Sequence, residues 1–357
     1  MKKLLCILLF LSSVSFLPAF SQIDTVDIFY NKEDVRYKDL RLFESDSVLK
    51  FSLRFDITTF KRVRSDTMEF DAVLTYHLSK TDSVNKNIKL RARGIMRRSY
   101  CDMPPIRLNF KGTDTLNDEF KDVNKIKLVT HCRLGNEDYT LREFLVYKLY
   151  NVLTENSYRV RLARISYINT NTKKQSKPIN EFAFLIEPTE VLCKRLNAVE
   201  IKTQKVTQKY IKPDIMDRMA IFNYMIGNTD WSLPIRHNVV IFSQPRSPRP
   251  DLGIAIAYDF DYAGLVNTDY AVPFPDLGIK TVRERRYLGV CRTKEEFLNA
   301  LKEFSVKENE FYKVITEFPL LKEKSKKDIT NYLKGFFIGT QKGNSVLNSL
   351  LSGCIQF

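Results

Sequence analysis

The chain has 357 residues, of which 44% are hydrophobic and 12% aromatic, with only 12 glycines. That excludes disorder over most of the length and leaves one large domain or two lobes. The formal net charge of +15 suits polyanions such as nucleotide phosphates, acidic glycans or lipid headgroups, or simply solubility; lysine and arginine do not run in blocks, so no nucleic-acid arm or nucleic-acid partner is expected.

Residues 1–21 read as a signal peptide. Lys2 and Lys3 form the charged region, Leu4–Phe20 is mostly apolar, and Ala19-Phe20-Ser21 supplies small residues at both cleavage positions, so Gln22 opens the expected mature chain. A membrane anchor is the rival reading, for which the stretch is short. No later run is long or apolar enough to span a bilayer, so an exported, periplasmic or extracellular protein without a transmembrane span is expected. Loss of Lys2 and Lys3 takes the charge from +15 to +13. Five cysteines remain, Cys101, Cys132, Cys193, Cys291 and Cys354, with no C-x-x-C spacing, so no zinc site is expected. Export permits disulfides. Cys101 and Cys132 flank neighbouring predicted strands and are the candidate pair; the odd count leaves at least one thiol free or bonded elsewhere.

From Gln22 to about residue 45 the chain is a polar lead-in. Val48–Ile57 then alternates, with Leu49, Phe51, Leu53 and Phe55 on one face and Lys50, Ser52, Arg54 and Asp56 on the other, the pattern of a half-buried strand. Met68–Leu78 predicts a second strand and Lys80–Asn87 a polar turn. Ile88–Arg93 and Ile106–Phe110 predict further strands, separated by Gly94–Pro105 with its paired prolines. Lys125–Thr130 predicts another. From Thr140 the residues Leu141, Phe144, Leu145, Lys148, Leu149 and Val152 recur at helical spacing, with Thr140 as N-cap and Glu143 as its capping-box partner. Val160–Asn169 and Phe182–Glu187 return to strand around a polar turn at Asn169–Lys177. Beyond Pro188 the pattern is helical, and Asp214–Met225 carries Ile215, Met219, Phe222 and Met225 on one face. Gly264–Gly289 predicts a long ordered loop, a kind of segment that tends to be functional. Lys294–Phe304, Glu308–Phe318 and Lys326–Phe337 predict amphipathic helices, and no internal repeat is visible.

The expected fold is therefore α+β and two-lobed. Residues 22–187 would form a β-rich N-terminal lobe with one prominent helix and a β extension over about 45–87. Residues 188–357 would form a mostly helical C-terminal lobe, with a ligand cleft between the two.

The chemistry concentrates in Gly227–Phe242, GNTDWSLPIRHNVVIF, and in Tyr258-Asp259-Phe260-Asp261. Asp230 lies on a turn after a helix that ends at Gly227, Asn238 opens an apolar strand, and Asp259 ends a second strand, Ile254–Tyr258. Asp and Asn favour turns and caps in any case. Their ordered combination suits phosphoryl transfer, in which one carboxylate orients a hydroxyl and oxygen ligands hold Mg²⁺ against phosphates. Asp230 is then the candidate base, and Asn238 and Asp259 are metal ligands. Asp261 takes a second metal or caps the next segment. His237 is read as holding the turn by hydrogen bonds, and Trp231 as a packing anchor.

The order of RARGIMRRSYCDMPPIRLNF, KIKLVTHC, TLREFLVYKLYNVL, FAFLIEP, GNTDWSLPIRHNVVIF and YDFDYAG, over roughly residues 88–300, resembles the spore-coat protein H (CotH) kinase family, atypical kinases of protein-kinase-like fold. The resemblance implies ATP and Mg²⁺ (or Mn²⁺) as cofactors and a protein or acidic glycan acceptor. It makes Asp230 the catalytic aspartate, Asn238 and Asp259 the metal ligands, Lys127 the nucleotide lysine and Glu143 its ion-pair partner. Phe184–Glu187, with Glu187 at its end, would be the adenine hinge, and Arg93–Ser99 would cover the phosphates, with Arg93, Arg97 and Arg98 as contacts. Departures are plain: no G-x-G-x-x-G loop is present, Asp230 and Asn238 are eight apart, Asp261 stands where standard kinases carry glycine, and ATP is scarce outside the cytoplasm. Two readings stand: an exported kinase, and a catalytically degenerate envelope protein that reuses the fold for binding or assembly.

Overall fold

The computed structural model describes residues 40–77, 82–110, 119–171, 177–202, 205–246, 251–341 and 343–356. The expected signal peptide and most of the polar lead-in lie outside the described residues. In chain order the elements are β1 (Leu49–Phe55), α1 (Ile57–Val63), β2 (Phe70–His77), β3 (Ser83–Ala92), α2 (Met96–Tyr100), β4 (Ile106–Asn109), β5 (Lys125–Val129), α3 (Glu137–Leu153), β6 (Val160–Asn169), β7 (Ile179–Ile186), α4 (Thr189–Leu196), β8 (Val199–Glu200), α5 (Pro213–Ile226), β9 (Val239–Ser243), β10 (Ile254–Ala257), α6 (Lys294–Val306), α7 (Glu308–Thr316), α8 (Glu323–Gln341) and α9 (Ser345–Gly353).

Seven strands close a barrel in the order β1-β2-β3-β4-β5-β7-β6. The seam is the parallel pairing of β1 with β6, Leu49 opposite Ala163 through Phe55 opposite Asn169, and the other neighbours are antiparallel. The alternation of β1 puts Leu49, Phe51, Leu53 and Phe55 inside, where they pack with Leu74, Leu90, Leu108, Leu128 and Leu185. Closure leaves no free sheet edge in the barrel.

This corrects the two-lobed, protein-kinase-like expectation. The structure is α+β, but its β part is a closed mixed barrel rather than a sheet lobe set against a helical lobe. β1, read as part of an extension, is the strand that shuts the barrel. The helices do not segregate either: α3 packs on the outside of β6 and β7 and also against α7, and one core runs from Val129 through α3 and α5 to Leu350. The expected turn at Lys80–Asn87 differs too over its described part, residues 82–87, the first two residues lying outside the described ones. β3 starts at Ser83 and pairs with β2 from His77 onward, because polar residues are tolerated on the solvent face of an antiparallel pair. Thr140 is not the N-cap of α3, which begins three residues earlier after Asn136.

Beside the barrel, β10, β9 and β8 form a small antiparallel sheet. It leans on α5, which ends at Gly227 in the left-handed region, φ +69. A Cβ at that position would overlap the Tyr332 hydroxyl. The segment 264–289 is largely irregular, with one short 3₁₀ turn at Pro275–Leu277. Cys101 bonds to Cys132 and Cys291 to Cys354, which leaves Cys193, buried, as the free thiol of the described residues. Among those residues no helix is long and apolar enough to cross a membrane.

Non-reducing peptide mapping should recover both linked pairs, with Cys193 alkylated only after denaturation; a linked peptide containing Cys193 would contradict this pairing. Gly227→Ala should lower unfolding free energy by about 1–3 kcal/mol in urea titration, because it combines a positive φ with a steric overlap.

Candidate functional site

A cleft of about 560 Å³ opens between the outer face of the barrel and the turns that flank the small sheet. Arg93, Arg97, Lys127, Asp230, His237, Asn238, Asp259 and Asp261 all line it. Strand alternation explains the barrel's part. Ile126 and Leu128 point inward on β5, so Lys127 and Val129 point outward into the cleft.

The opposite wall begins with the α5 cap. A buried pair of asparagines builds the turn after Gly227: Asn228 donates to the Asn223 side chain at 2.8 Å and accepts from the Asp230 N–H at 3.1 Å. Asp230 is held on both carboxylate oxygens. Oδ1 lies 2.7 Å from His237 Nε2, and Oδ2 accepts from Asn238 Nδ2 at 2.9 Å. Asn238 also donates to the Asp230 carbonyl, and its own carbonyl accepts from the Tyr258 N–H at 3.0 Å. That last bond extends the β9–β10 ladder by one step and places Asp259 next to Asn238. Arg236, Asn238 and Asp259 all have positive φ, at 54°, 51° and 64°. Asn and Asp tolerate this region best among L-residues, and such strain gathers at functional sites. Trp231 is buried, as expected of a packing anchor.

Beneath this layer lies a buried charged group. Glu143 pairs with Arg97 at 3.1 Å, and Arg97 also donates to the Thr130 carbonyl at 2.6 Å. Asp261 accepts from the Tyr270 hydroxyl at 2.8 Å. Burial raises the pKa of both carboxyls, and each is raised further by the charge of Asp259. Arg97 Nε and Glu143 Oε1 have no hydrogen-bond partner among the described residues. Burial also raises the Asp230 carboxyl, against the opposing pull of His237. Lys127 is pushed down to about 8, first by burial and then by Arg93 and Arg107, with Asp259 opposing. Its ammonium sits 4.9 Å from the Tyr258 ring centre.

The expected residues divide accordingly. Asp230, Asn238, Asp259, Lys127 and Arg93 converge on one space, as do Arg97 and Asp261. Glu143 does not line the cleft: it is buried behind Arg97, which is its ion-pair partner in place of Lys127, and its capping role is absent because α3 starts upstream. Glu187 is turned away from the cleft: Arg195 binds its carboxylate at 2.9 and 3.1 Å, and the Arg159 N–H donates to it. Ile186, not Glu187, lines the cleft. Arg98 pairs with Asp66. Sequence reasoning missed Asn223, Asn228 and Tyr147. The i, i+4 spacing of Glu143 and Tyr147 on one helix face was the only available signal for the last.

No side chain among the described residues donates a hydrogen bond to the Asp259 carboxylate, and Asn238 uses only its amide nitrogen. Among the described residues no group of three or more His, Cys, Asp or Glu is arranged to hold a metal ion. The open donors are one carboxylate and one amide oxygen. That set fits Mg²⁺ or Mn²⁺, which take oxygen ligands; Mg²⁺ keeps several waters and fills out its shell with substrate phosphates. No protein-family model matches the chain, and no curated protein matches it.

Lys127 releases its proton at about 8 in the folded chain but near 10.5 when unfolded. The unfolded state binds the extra proton in that window, so the site's contribution to stability rises with pH across it. Below about 8 the full cost of burying the charge is present. Lys127→Met should therefore melt higher than wild type at pH 7, with the gap closing by pH 10; thermal denaturation across that range reads it.

Proposed function

We propose that this cleft transfers the γ-phosphoryl group of ATP to a protein or glycan hydroxyl. The observation that carries the reading is the convergence of Asp230, Asn238, Asp259 and Lys127 on one cleft, with the Asp259 carboxylate and the Asn238 amide oxygen not hydrogen-bonded by any described side chain. The resemblance to the spore-coat protein H kinases supports it, and the cleft volume is of the right order for a nucleotide. The two disulfides are in keeping with an oxidising, exported setting.

In the proposed reaction the acceptor oxygen forms a bond to the γ-phosphorus. The bond to the β–γ bridging oxygen breaks, and ADP leaves with that electron pair. The hydroxyl proton passes to Asp230. His237 and Asn238 fix the direction of that carboxylate, and its burial-raised pKa makes it a better proton acceptor. Lys127 and Arg93 set positive charge on the cleft wall against the phosphates. A Mg²⁺ or Mn²⁺ ion held by Asp259 and Asn238 Oδ1 would neutralise phosphate charge as a Lewis acid.

Mg-ATP should raise the melting temperature of the wild type, and Asp259→Ala should abolish that shift. Transfer from γ-labelled ATP to an acceptor or to the chain itself should fall by about 10²–10³ in Asp259→Asn and by about 10²–10⁴ in Asp230→Asn. A nucleotide-dependent shift with no transfer to any acceptor would leave a binding module. No shift at all would sink the nucleotide reading.

A further inference from the structure

We infer that Tyr147 is a positioning residue for Asp259; the inference rests on the metal reading proposed above. Tyr147 is buried on α3 one turn beyond Glu143. Its hydroxyl accepts a hydrogen bond from the Asp259 N–H at 2.8 Å. Its ring also meets the next residue, Phe260, edge-on at 4.8 Å between centroids, and Phe184 at 5.6 Å. One side chain thus holds Asp259 by its backbone and Phe260 by its ring.

The consequence follows from what Asp259 lacks. Its carboxylate receives no hydrogen bond from any described side chain, so only its backbone aims it. That backbone is left-handed at φ +64, a conformation an L-residue keeps only where its surroundings impose it. The Tyr147 hydroxyl is the contact that occupies the Asp259 N–H. Removing it frees the peptide to relax toward φ < 0 and swings the metal ligand away from Asn238 Oδ1. Glu143 occupies the same helix face and is anchored by Arg97, so α3 has a fixed base from which to hold Asp259.

The test is Tyr147→Phe, which deletes a single oxygen. With the full chain and the non-hydrolysable analogue AMP-PNP, Mn²⁺ binding followed by electron paramagnetic resonance should weaken by about 3–10-fold, the scale of one buried hydrogen bond. AMP-PNP affinity without metal should stay at the wild-type value. Tyr287→Phe, which also loses a buried hydroxyl but one without a partner among the described residues, should leave Mn²⁺ binding unchanged, and Asp259→Asn should abolish it. Wild-type Mn²⁺ affinity in Tyr147→Phe would overturn the role of Tyr147 while leaving the metal reading intact. A wild type that binds no Mn²⁺ beside AMP-PNP would overturn the metal reading and this inference with it. Amide exchange at Asp259 in the wild type needs no variant: protection supports the bond to Tyr147, and exchange at the rate of an open loop overturns it.

Discussion

The cleft depends on the placement of Asn238. Its side-chain nitrogen donates to the carbonyl and the carboxylate of Asp230, and its backbone carbonyl accepts from Tyr258. One residue therefore ties the turn after α5 to the end of β10. Without it, two carboxylates from separate parts of the chain would have no common reference. The cost is visible in the backbone, since Asn238 and Asp259 are both left-handed. An amide suits the task better than a carboxylate would. It can donate to Asp230 without adding a fourth carboxylate to a space that already holds Asp230, Asp259 and Asp261.

The electrostatics of the cleft are layered. On its wall, Lys127 and Arg93 offer cations to a ligand. Beneath, Arg97 is enclosed by Glu143, by the Thr130 carbonyl and by the charges of Asp259 and Asp261. The deeper guanidinium therefore offsets buried carboxylates more than it meets anything that enters. Arginine suits that layer, because it stays charged when buried while lysine readily gives up its proton. The contrast with Lys127, whose pKa is lowered to about 8, follows from the same chemistry.

Much of the local structure was legible in the sequence. The alternation of Leu49–Phe55, the helical period after Thr140 and the cap at Gly227 each report a local steric or burial rule. The grouping of Asp230, Asn238 and Asp259 was legible because turn and strand-end positions are strongly marked by residue type. Closure of the barrel was not. Parallel pairing between β1 and β6 leaves no signature in either strand, since alternation shows which face is buried but not which neighbour is paired. The partner of Glu143 was hidden for a related reason: Lys127 and Arg97 are both cations, and nothing in residue type or spacing says which of them reaches the helix, where the structure puts Arg97. Glu187 reads as a strand end facing a cleft, but Arg195, one helix away, claims its carboxylate.

The β1–β6 seam also bears on how the chain acquires its shape. β1 leaves the ribosome early, yet its parallel partner begins only at Val160, after four more strands and α3 have been made. Until then β1 has β2 on one side and an unsatisfied row of peptide groups on the other. Joining distant segments carries a loop-closure entropy that local hairpins escape. The β2–β3–β4–β5 meander can assemble by short-range steps, while the last ring of hydrogen bonds waits for β6. The half-built barrel is thus the species most exposed to strand-to-strand association with other copies, and the speed with which the seam closes sets how long that exposure lasts.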